Sequence, residues 1–251
     1  MVIFFTLKRS LFFVPHHFIV YSTQIEEQFM SIDYLVIEGN IGAGKTTLAT
    51  MLSHDLNSKL ILEGFSDNPF LPKFYNDPAK YSFPLELSFL AERYSQLKSD
   101  LANRDLFHEM TIVDYYFMKS LIFAQNTLAP DEYNLYRKFF DIIYDRLPKP
   151  DLYVYLHVSE DKLIENIFQR GRDYEKSIQQ SYLRMIRDGY FNFFSQQTEF
   201  PVLIVETTNI DFVKNNSHYQ LLKNLIFKKE YPNGISREFL KSKLFSDENT
   251  R

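Results

Sequence analysis

The sequence predicts an α/β fold in which helices flank a parallel sheet. Three observations carry that prediction: five short apolar runs, amphipathic segments between them, and one glycine-rich loop joining the first run to the first helix. The runs lie at 34–37, 59–62, 111–113, 152–156 and 202–205. Each is continuous rather than alternating, which suits strands covered on both faces. Between them, Leu48, Met51, Leu52 and Leu56 recur at helical spacing, as do Leu163, Ile164 and Ile167. Strands alternating with helices imply a parallel sheet with right-handed crossovers. Residues 77–104 carry Leu87, Leu90, Tyr94 and Leu97 at helical intervals, so Pro84 must sit near the start of that helix or kink it.

Composition bounds the function. A chain of 251 residues with 45% hydrophobic and 24% charged residues has enough material for one well-filled core. With no cysteine, disulfides, thiolate metal sites and cysteine nucleophiles are excluded, and a reducing, cytoplasmic setting is expected. A net charge of −4 argues against a nucleic-acid groove or a polybasic membrane contact, both of which need a wide basic face. The apolar run at 11–21 is broken by Pro15, His16 and His17 and is too short to span a bilayer. Lys8 and Arg9 precede it as in a secretory signal, but no small-residue cleavage site follows. Residues 1–29 are therefore expected to be a disordered or non-native extension, residues 30–228 the domain, and residues 229–251 a loose polar tail.

Residues 39–46, Gly-Asn-Ile-Gly-Ala-Gly-Lys-Thr, match G-x-x-x-x-G-K-[ST] between a predicted strand and a predicted helix. The chemistry follows from the residue types. Gly39, Gly42 and Gly44 let the backbone turn tightly around Asn40, Ile41 and Ala43 and aim successive N–H groups at phosphate oxygens. The following helix, with Thr46 and Thr47 in its first turn, offers its positive dipole end to the same anion. Lys45 adds a point charge for the outer phosphates, and the Thr46 hydroxyl suits Mg²⁺. The fold expected is thus the three-layer P-loop NTPase fold, binding ATP with Mg²⁺.

What the nucleotide serves is read from the other strand ends. No guanine-reading N-K-x-D motif follows a later strand, which argues against a GTP switch. Instead Glu63 and Asp114 each follow an apolar run, where a doubly wound sheet opens onto its ligand crevice. Two carboxylates there suit phosphoryl transfer, one accepting the proton of an attacking hydroxyl and the other supporting Mg²⁺. Sequence alone does not divide those roles. Arg170 and Arg172 flank Gly171 in a predicted loop and offer planar donors able to close over a transferring phosphate.

These residues carry a resemblance. GNIGAGKTT, the stretch DNPFLPKFYNDPAKYSFPLELSFLAERY, RGRDYE and the late IVETTNIDFV resemble, in order and spacing, the deoxynucleoside kinase family over residues 33–213. The resemblance implies a five-stranded parallel sheet, a homodimer built on long helices, and transfer of the ATP γ-phosphate to a nucleoside 5′-hydroxyl. It implies that Glu63 touches the 5′-hydroxyl and that Asp114 is proton acceptor or magnesium partner. Tyr75 and Glu175 would hold the sugar 3′-hydroxyl, and Arg170 and Arg172 would be lid arginines. Residues 209–212, with Asp211 and Phe212, would lie beside the ATP adenine, and Phe123 would stack on the substrate base.

The sequence departs from that family's pattern at three places. Tyr115 stands where an arginine is expected after Asp114. The segment 116–120 is one residue short, which puts Lys119 or Ser120 where the family often has a base-reading aspartate. Glu86 replaces a base-reading glutamine, and an ionised glutamate only accepts hydrogen bonds. Guanine offers two adjacent donors to such a carboxylate, and Arg93, two helical turns further on, suits guanine O6 and N7. Alternatively, Glu86 and Arg93 pair through Lys119 or water. Two other functions remain open: a weakened nucleotide-binding relative with a regulatory role, motivated by Tyr115, and a nucleoside monophosphate kinase.

Overall fold

The computed structural model describes residues 32–64, 68–102, 108–172, 175, 178–227 and 229–240, apart from the side chains of Tyr75 and Ala102. The extension expected at 1–29, the Tyr75 side chain, and Asp173 and Tyr174 of the lid lie outside those residues. All five apolar runs form strands. They are β1 (Tyr34–Gly39), β2 (Lys59–Ile61), β3 (Thr111–Val113), β4 (Leu152–His157) and β5 (Pro201–Glu206). A sixth strand, β6 (Gly234–Phe239), corrects the five-stranded expectation and lies within the stretch read as a loose tail. It was hidden because it alternates half-buried and exposed residues at the sheet edge, whereas the strands sought were continuous apolar runs.

The strand order is β2-β3-β1-β4-β5-β6, and every pairing is parallel. Eight helices cross between the strands among the described residues: α1 (Lys45–Leu56), α2 (Leu71–Asn76), α3 (Pro78–Ala102), α4 (Met118–Thr127), α5 (Pro130–Tyr144), α6 (Glu160–Arg170), α7 (Gln180–Gln196) and α8 (Asn216–Phe227). They form two outer layers. On one face, Leu48, Leu52, Leu163, Ile167, Leu222 and Ile226 of α1, α6 and α8 pack on Leu35, Ile37, Val154 and Leu203. On the other, Leu90, Ile122, Tyr136, Phe140, Ile186 and Phe194 of α3, α4, α5 and α7 pack on Val36, Val113, Tyr153 and Ile204. The second face absorbs much of the aromatic content. Tyr116 meets Tyr153 and Phe200 edge-on at 5.6 and 5.7 Å between centroids, and Tyr155 meets Phe194 edge-on at 5.1 Å.

The long helix starts as the residues dictate. Asp77 precedes Pro78, and its Oδ1 accepts the Lys80 N–H at 3.3 Å, an N-terminal cap followed by proline in the first turn. Pro84 lies inside α3, within its second turn, rather than ending it. Two strand ends are fixed by one buried carboxylate. Glu38 of β1 is 0% exposed; its Oε2 accepts the Gly39 N–H and the Tyr190 hydroxyl, both at 3.0 Å, and its Oε1 accepts the Tyr116 N–H at 2.9 Å. Burial raises its pKa, with Lys119 and Lys45 pulling the other way. The carboxylate thus ties the start of the phosphate loop to the segment after β3 and to α7.

The sixth strand gives a direct test. A chain ending at Lys229 loses six ladder positions on β5 and the buried Tyr231, whose hydroxyl caps the Leu225 carbonyl at 2.7 Å. Its thermal midpoint is expected to fall by at least several degrees, since about 1 kcal/mol shifts a domain of this size by roughly 2–4 °C. An unchanged midpoint in differential scanning calorimetry would return those residues to the status of a tail.

Candidate active site

The site lies at the carboxyl ends of β1, β2 and β3, beside the point where β1 has β3 on one side and β4 on the other. Register fixes it: Val36 of β1 is level with Val113, and Val113 with Ile61. The phosphate loop, Glu63 and Asp114 all follow those positions and emerge at one edge.

The loop is built as its sequence requires. Gly42 and Gly44 have φ of 83° and 87°, the left-handed region that favours glycine. A Cβ on Gly44 would lie 2.9 Å from Phe212, so Phe212 is seated against the phosphate loop. Asp211 caps its own turn there, accepting the Val213 and Lys214 N–H groups at 3.2 and 2.9 Å. Asn40 is buried; its amide donates to the Leu183 carbonyl at 2.7 Å and accepts the Ile41 N–H at 2.8 Å. Asn166 of α6 donates to the Gly42 carbonyl at 2.9 Å. The Lys45 ammonium donates to the Asn40 carbonyl at 3.0 Å. Burial and the nearby Lys119 push its pKa down to about 8. Thr46 and Thr47 are both exposed at the start of α1.

Asp114 joins the loop to the acceptor side. Its Oδ2 accepts the Thr46 hydroxyl at 2.5 Å and its Oδ1 accepts the Glu63 N–H at 2.7 Å. Thr46 and Asp114 bring two hard oxygen donors together, as Mg²⁺ prefers. Among the described residues no group of three or more His, Cys, Asp or Glu side chains is placed to hold a metal. A magnesium ion here would therefore take most of its ligands from nucleotide phosphates and water.

Glu63 is held by two cations. Arg93 of α3 donates to its Oε1 twice, from Nε at 3.1 Å and Nη2 at 2.7 Å, and Lys119 of α4 donates to its Oε2. Burial alone would raise the Glu63 pKa, but Lys119 and Arg93 overcome it and hold the group well below the usual carboxylate range. Arg93 is itself buried; Nη1 donates to the Ser120 hydroxyl at 2.9 Å, and the guanidinium lies 5.0 Å from the Phe89 ring centroid.

One further carboxylate sits deeper. Glu86 is 3% exposed; its Oε1 accepts the Thr127 hydroxyl at 3.0 Å, and its Oε2 is buried with no hydrogen-bond partner. Burial pushes its pKa up to about 7, with Arg93 acting against that rise. Glu86 and Arg93 are not directly paired, since Arg93 turns to Glu63 and Ser120. Phe123 is half-buried on α4, with the Lys119 ammonium 5.6 Å from its ring centroid.

Not every expected residue converges. Tyr115 is fully buried, and its hydroxyl donates to Gln96 Oε1 at 2.9 Å. Gln96 in turn donates to the Leu62 carbonyl at 3.0 Å. Arg170 and Arg172 form one cluster with Glu175: Arg170 reaches Glu175 Oε2 at 3.1 and 2.5 Å, and Arg172 reaches Oε1 at 3.4 Å. The lid arginines and the acid assigned to the sugar thus hold one another. Sequence reading missed Glu38 and Gln96, and it left Lys119 without a chemical role. Glu38 had a signal, a lone acid closing an apolar strand; Gln96 had none beyond its place on the long helix.

The family model for deoxynucleoside kinases matches residues 35–230. A deoxyguanosine kinase of Bacillus subtilis is 40% identical over 191 residues, spanning 74% of this chain and 92% of that protein. A deoxyadenosine kinase of Dictyostelium discoideum is 31% identical over 201 residues, or 79% of this chain and 81% of that protein. The solved structure of a deoxyadenosine kinase from M. mycoides with dATP bound superposes with a TM-score of 0.66 at 26% identity, covering 77% of this chain and 98% of that one. With its phosphate loop, paired acids and parallel sheet in the arrangement described, the chain belongs to the deoxynucleoside kinase family.

Proposed function

We propose that the protein transfers the γ-phosphate of ATP to the 5′-hydroxyl of a purine deoxynucleoside, with deoxyguanosine preferred. The observation that carries this reading is the Asp114 bridge, which sets the phosphate-loop threonine and the Glu63 backbone on two oxygens of one carboxylate. Donor and acceptor sides are thereby held at a fixed separation, and in phosphoryl transfer positioning is most of catalysis.

Glu63 is the proton acceptor in this reading. Its carboxylate, kept ionised by Arg93 and Lys119, takes the 5′-hydroxyl proton as the O5′–P bond forms and the bond from Pγ to the bridging oxygen breaks toward ADP. Lys45 leaves its resting carbonyl for the outer phosphates, and Arg170 and Arg172 exchange Glu175 for phosphate oxygens. Glu175 is then freed for the sugar 3′-hydroxyl, a role that the resemblance assigns jointly to Glu175 and Tyr75. Mg²⁺, held by Thr46 and Asp114 with the nucleotide, would neutralise charge on the β- and γ-phosphates.

The base reading rests on Glu86. A buried carboxylate oxygen without a partner costs free energy until a ligand supplies a donor. Guanine offers N1–H and N2–H₂ side by side, whereas adenine brings an acceptor. Arg93 has spent three of its five N–H donors on Glu63 and Ser120, leaving two for O6 or N7. That commitment also argues against a monophosphate acceptor, whose phosphate would need the same guanidinium. Leu135, Phe139 and Ile142 form an exposed apolar stripe on α5, which supports assembly with a second copy. No described helix is long and apolar enough to cross a membrane, and the absence of cysteine supports a cytoplasmic setting.

Three predictions follow from this geometry. Lys45→Ala is expected to lower kcat by at least about 10²-fold with the protein still folded, since among the described residues the Lys45 ammonium donates to a single loop carbonyl; near wild-type turnover would sink the kinase reading. Glu63→Gln and Asp114→Asn should each lower kcat by about 10²-fold or more. Only the Asp114 variant should need more Mg²⁺ for half-maximal activity, and equal magnesium curves would remove the metal assignment. For the base, the ratio of kcat/KM for deoxyguanosine to that for deoxyadenosine should rise as pH increases through about 7, because ionisation turns Glu86 into a pure acceptor. Glu86→Gln should flatten that dependence and move preference toward deoxyadenosine, a bidentate contact being worth about 1–3 kcal/mol of discrimination. A pH-independent ratio, or a wild type that prefers deoxyadenosine, would refute the assignment.

A further inference from the structure

Lys119 has more cost than a structural ion pair explains. It is the second residue of α4, 8% exposed, so its ammonium is desolvated and stands in the first turn of a helix, where the dipole disfavours a cation. The compensating charge is Glu63. The two carboxylate oxygens of Glu63 are not equivalent. Oε1 takes two donors from Arg93, which fills both of its lone pairs. Among the described residues Oε2 takes Lys119 alone, which leaves one lone pair open. The hydroxyl whose proton Glu63 accepts must therefore approach Oε2, the oxygen on which Lys119 sits.

From this geometry we infer that Lys119 is a catalytic residue of the phosphoryl transfer: it orients Glu63 Oε2 toward the acceptor hydroxyl and presents its ammonium to the phosphoryl oxygens. The inference rests on the kinase reading above. The 5′-hydroxyl proton passes to Oε2, the O5′–P bond forms, and the electron pair of the breaking P–O bond leaves with ADP. Lys119 keeps its own proton throughout. Glu63 becomes neutral in that step, so the ammonium loses its counter-charge as negative charge collects on the transferring group beside it, a stabilisation specific to the transition state. The carboxylate that carries Lys119 adjoins the phosphate loop, because Asp114 holds the Glu63 N–H on one oxygen and the Thr46 hydroxyl on the other. Tyr115, the residue after Asp114, is a neutral phenol and brings no cation, its hydroxyl donating to Gln96. A cation at the acceptor carboxylate is thus supplied one turn later, from the helix.

The test is steady-state kinetics of Lys119→Met, Lys119→Gln and Lys119→Arg with deoxyguanosine and ATP·Mg²⁺, and of each neutral change in the Glu63→Gln background. Both neutral variants are expected to lose about 10²-fold or more in kcat with KM for the nucleoside moved less than about 3-fold, as for removal of one transition-state donor. Lys119→Arg should recover most of that loss, which a packing defect would not. In the Glu63→Gln background either neutral change should cost far less than in the wild type, because the two groups act as a unit. Two neutral variants guard against one that fails to fold, and each is compared at equal thermal midpoint. Wild-type kcat in a folded neutral variant, a loss confined to KM, or full additivity with Glu63→Gln would overturn the role of Lys119 while leaving the kinase reading intact. No turnover in the wild-type protein would overturn both.

Discussion

The Asp114 carboxylate is the constraint on which the crevice depends. It spends one oxygen on the Thr46 hydroxyl and the other on the Glu63 N–H, and its own N–H donates to the Ile61 carbonyl at 3.1 Å. Two strand ends, those of β2 and β3, and the first turn of α1 are therefore related through one residue. Glu38 performs the complementary task from below, joining Gly39, Tyr116 and Tyr190 through a carboxylate with no solvent exposure. An apolar residue in place of Asp114 would strip the Glu63 N–H and the Thr46 hydroxyl of this acceptor. One in place of Glu38 would do the same to two backbone N–H groups and the Tyr190 hydroxyl, at about 1–3 kcal/mol for each donor left buried and unsatisfied.

This arrangement explains why so few residues suffice to define the site. A parallel sheet puts every strand's carboxyl end on one edge, so residues 39–46, 63 and 114 meet although they are distant in the chain. The helices then deliver the cations from one side: Arg93 from α3 and Lys119 from α4, both onto Glu63. The opposite layer, α1, α6 and α8, supplies packing and seats Phe212 against the phosphate loop. Chemistry thus lies between the phosphate loop and the aromatic-rich layer, and the other layer fixes the loop's shape.

Much of this was legible in the sequence, for physical reasons that also mark where legibility stopped. Buried parallel strands need continuous apolar runs, and all five such runs became strands. β6 escaped because an edge strand needs only one protected face, so Ile235, Arg237 and Phe239 could remain outward. Glu63 and Asp114 were legible because acids directly after apolar runs have few other reasons to be there. The fate of Tyr115 was not legible: a residue adjacent in sequence to Asp114 points into the packed interior because successive residues of an extended segment face opposite ways. Nor could spacing reveal that Arg93 commits itself to Glu63 instead of Glu86, since a helix face gives direction but not the partner a long side chain selects.

The two acceptor-side glutamates show how one crevice can hold carboxylates with different tasks. Both are withdrawn from water, and withdrawal alone would raise both pKa values. Glu63 receives three N–H donors from two cations and stays ionised, ready to take a proton from a hydroxyl. Glu86 receives one neutral hydroxyl and keeps an unpartnered oxygen, so its pKa rises to about 7 and its charge depends on what is bound beside it. Arg93 touches the first and only influences the second through space. Environment rather than residue type therefore separates the two carboxylates. In the proposed reading the same separation would link them: a base that engages the remaining Arg93 donors would draw on the guanidinium that also holds Glu63. Binding of the base and orientation of the proposed proton acceptor would then be coupled through one side chain, and selection of the nucleoside would be expressed in the chemical step as well as in binding.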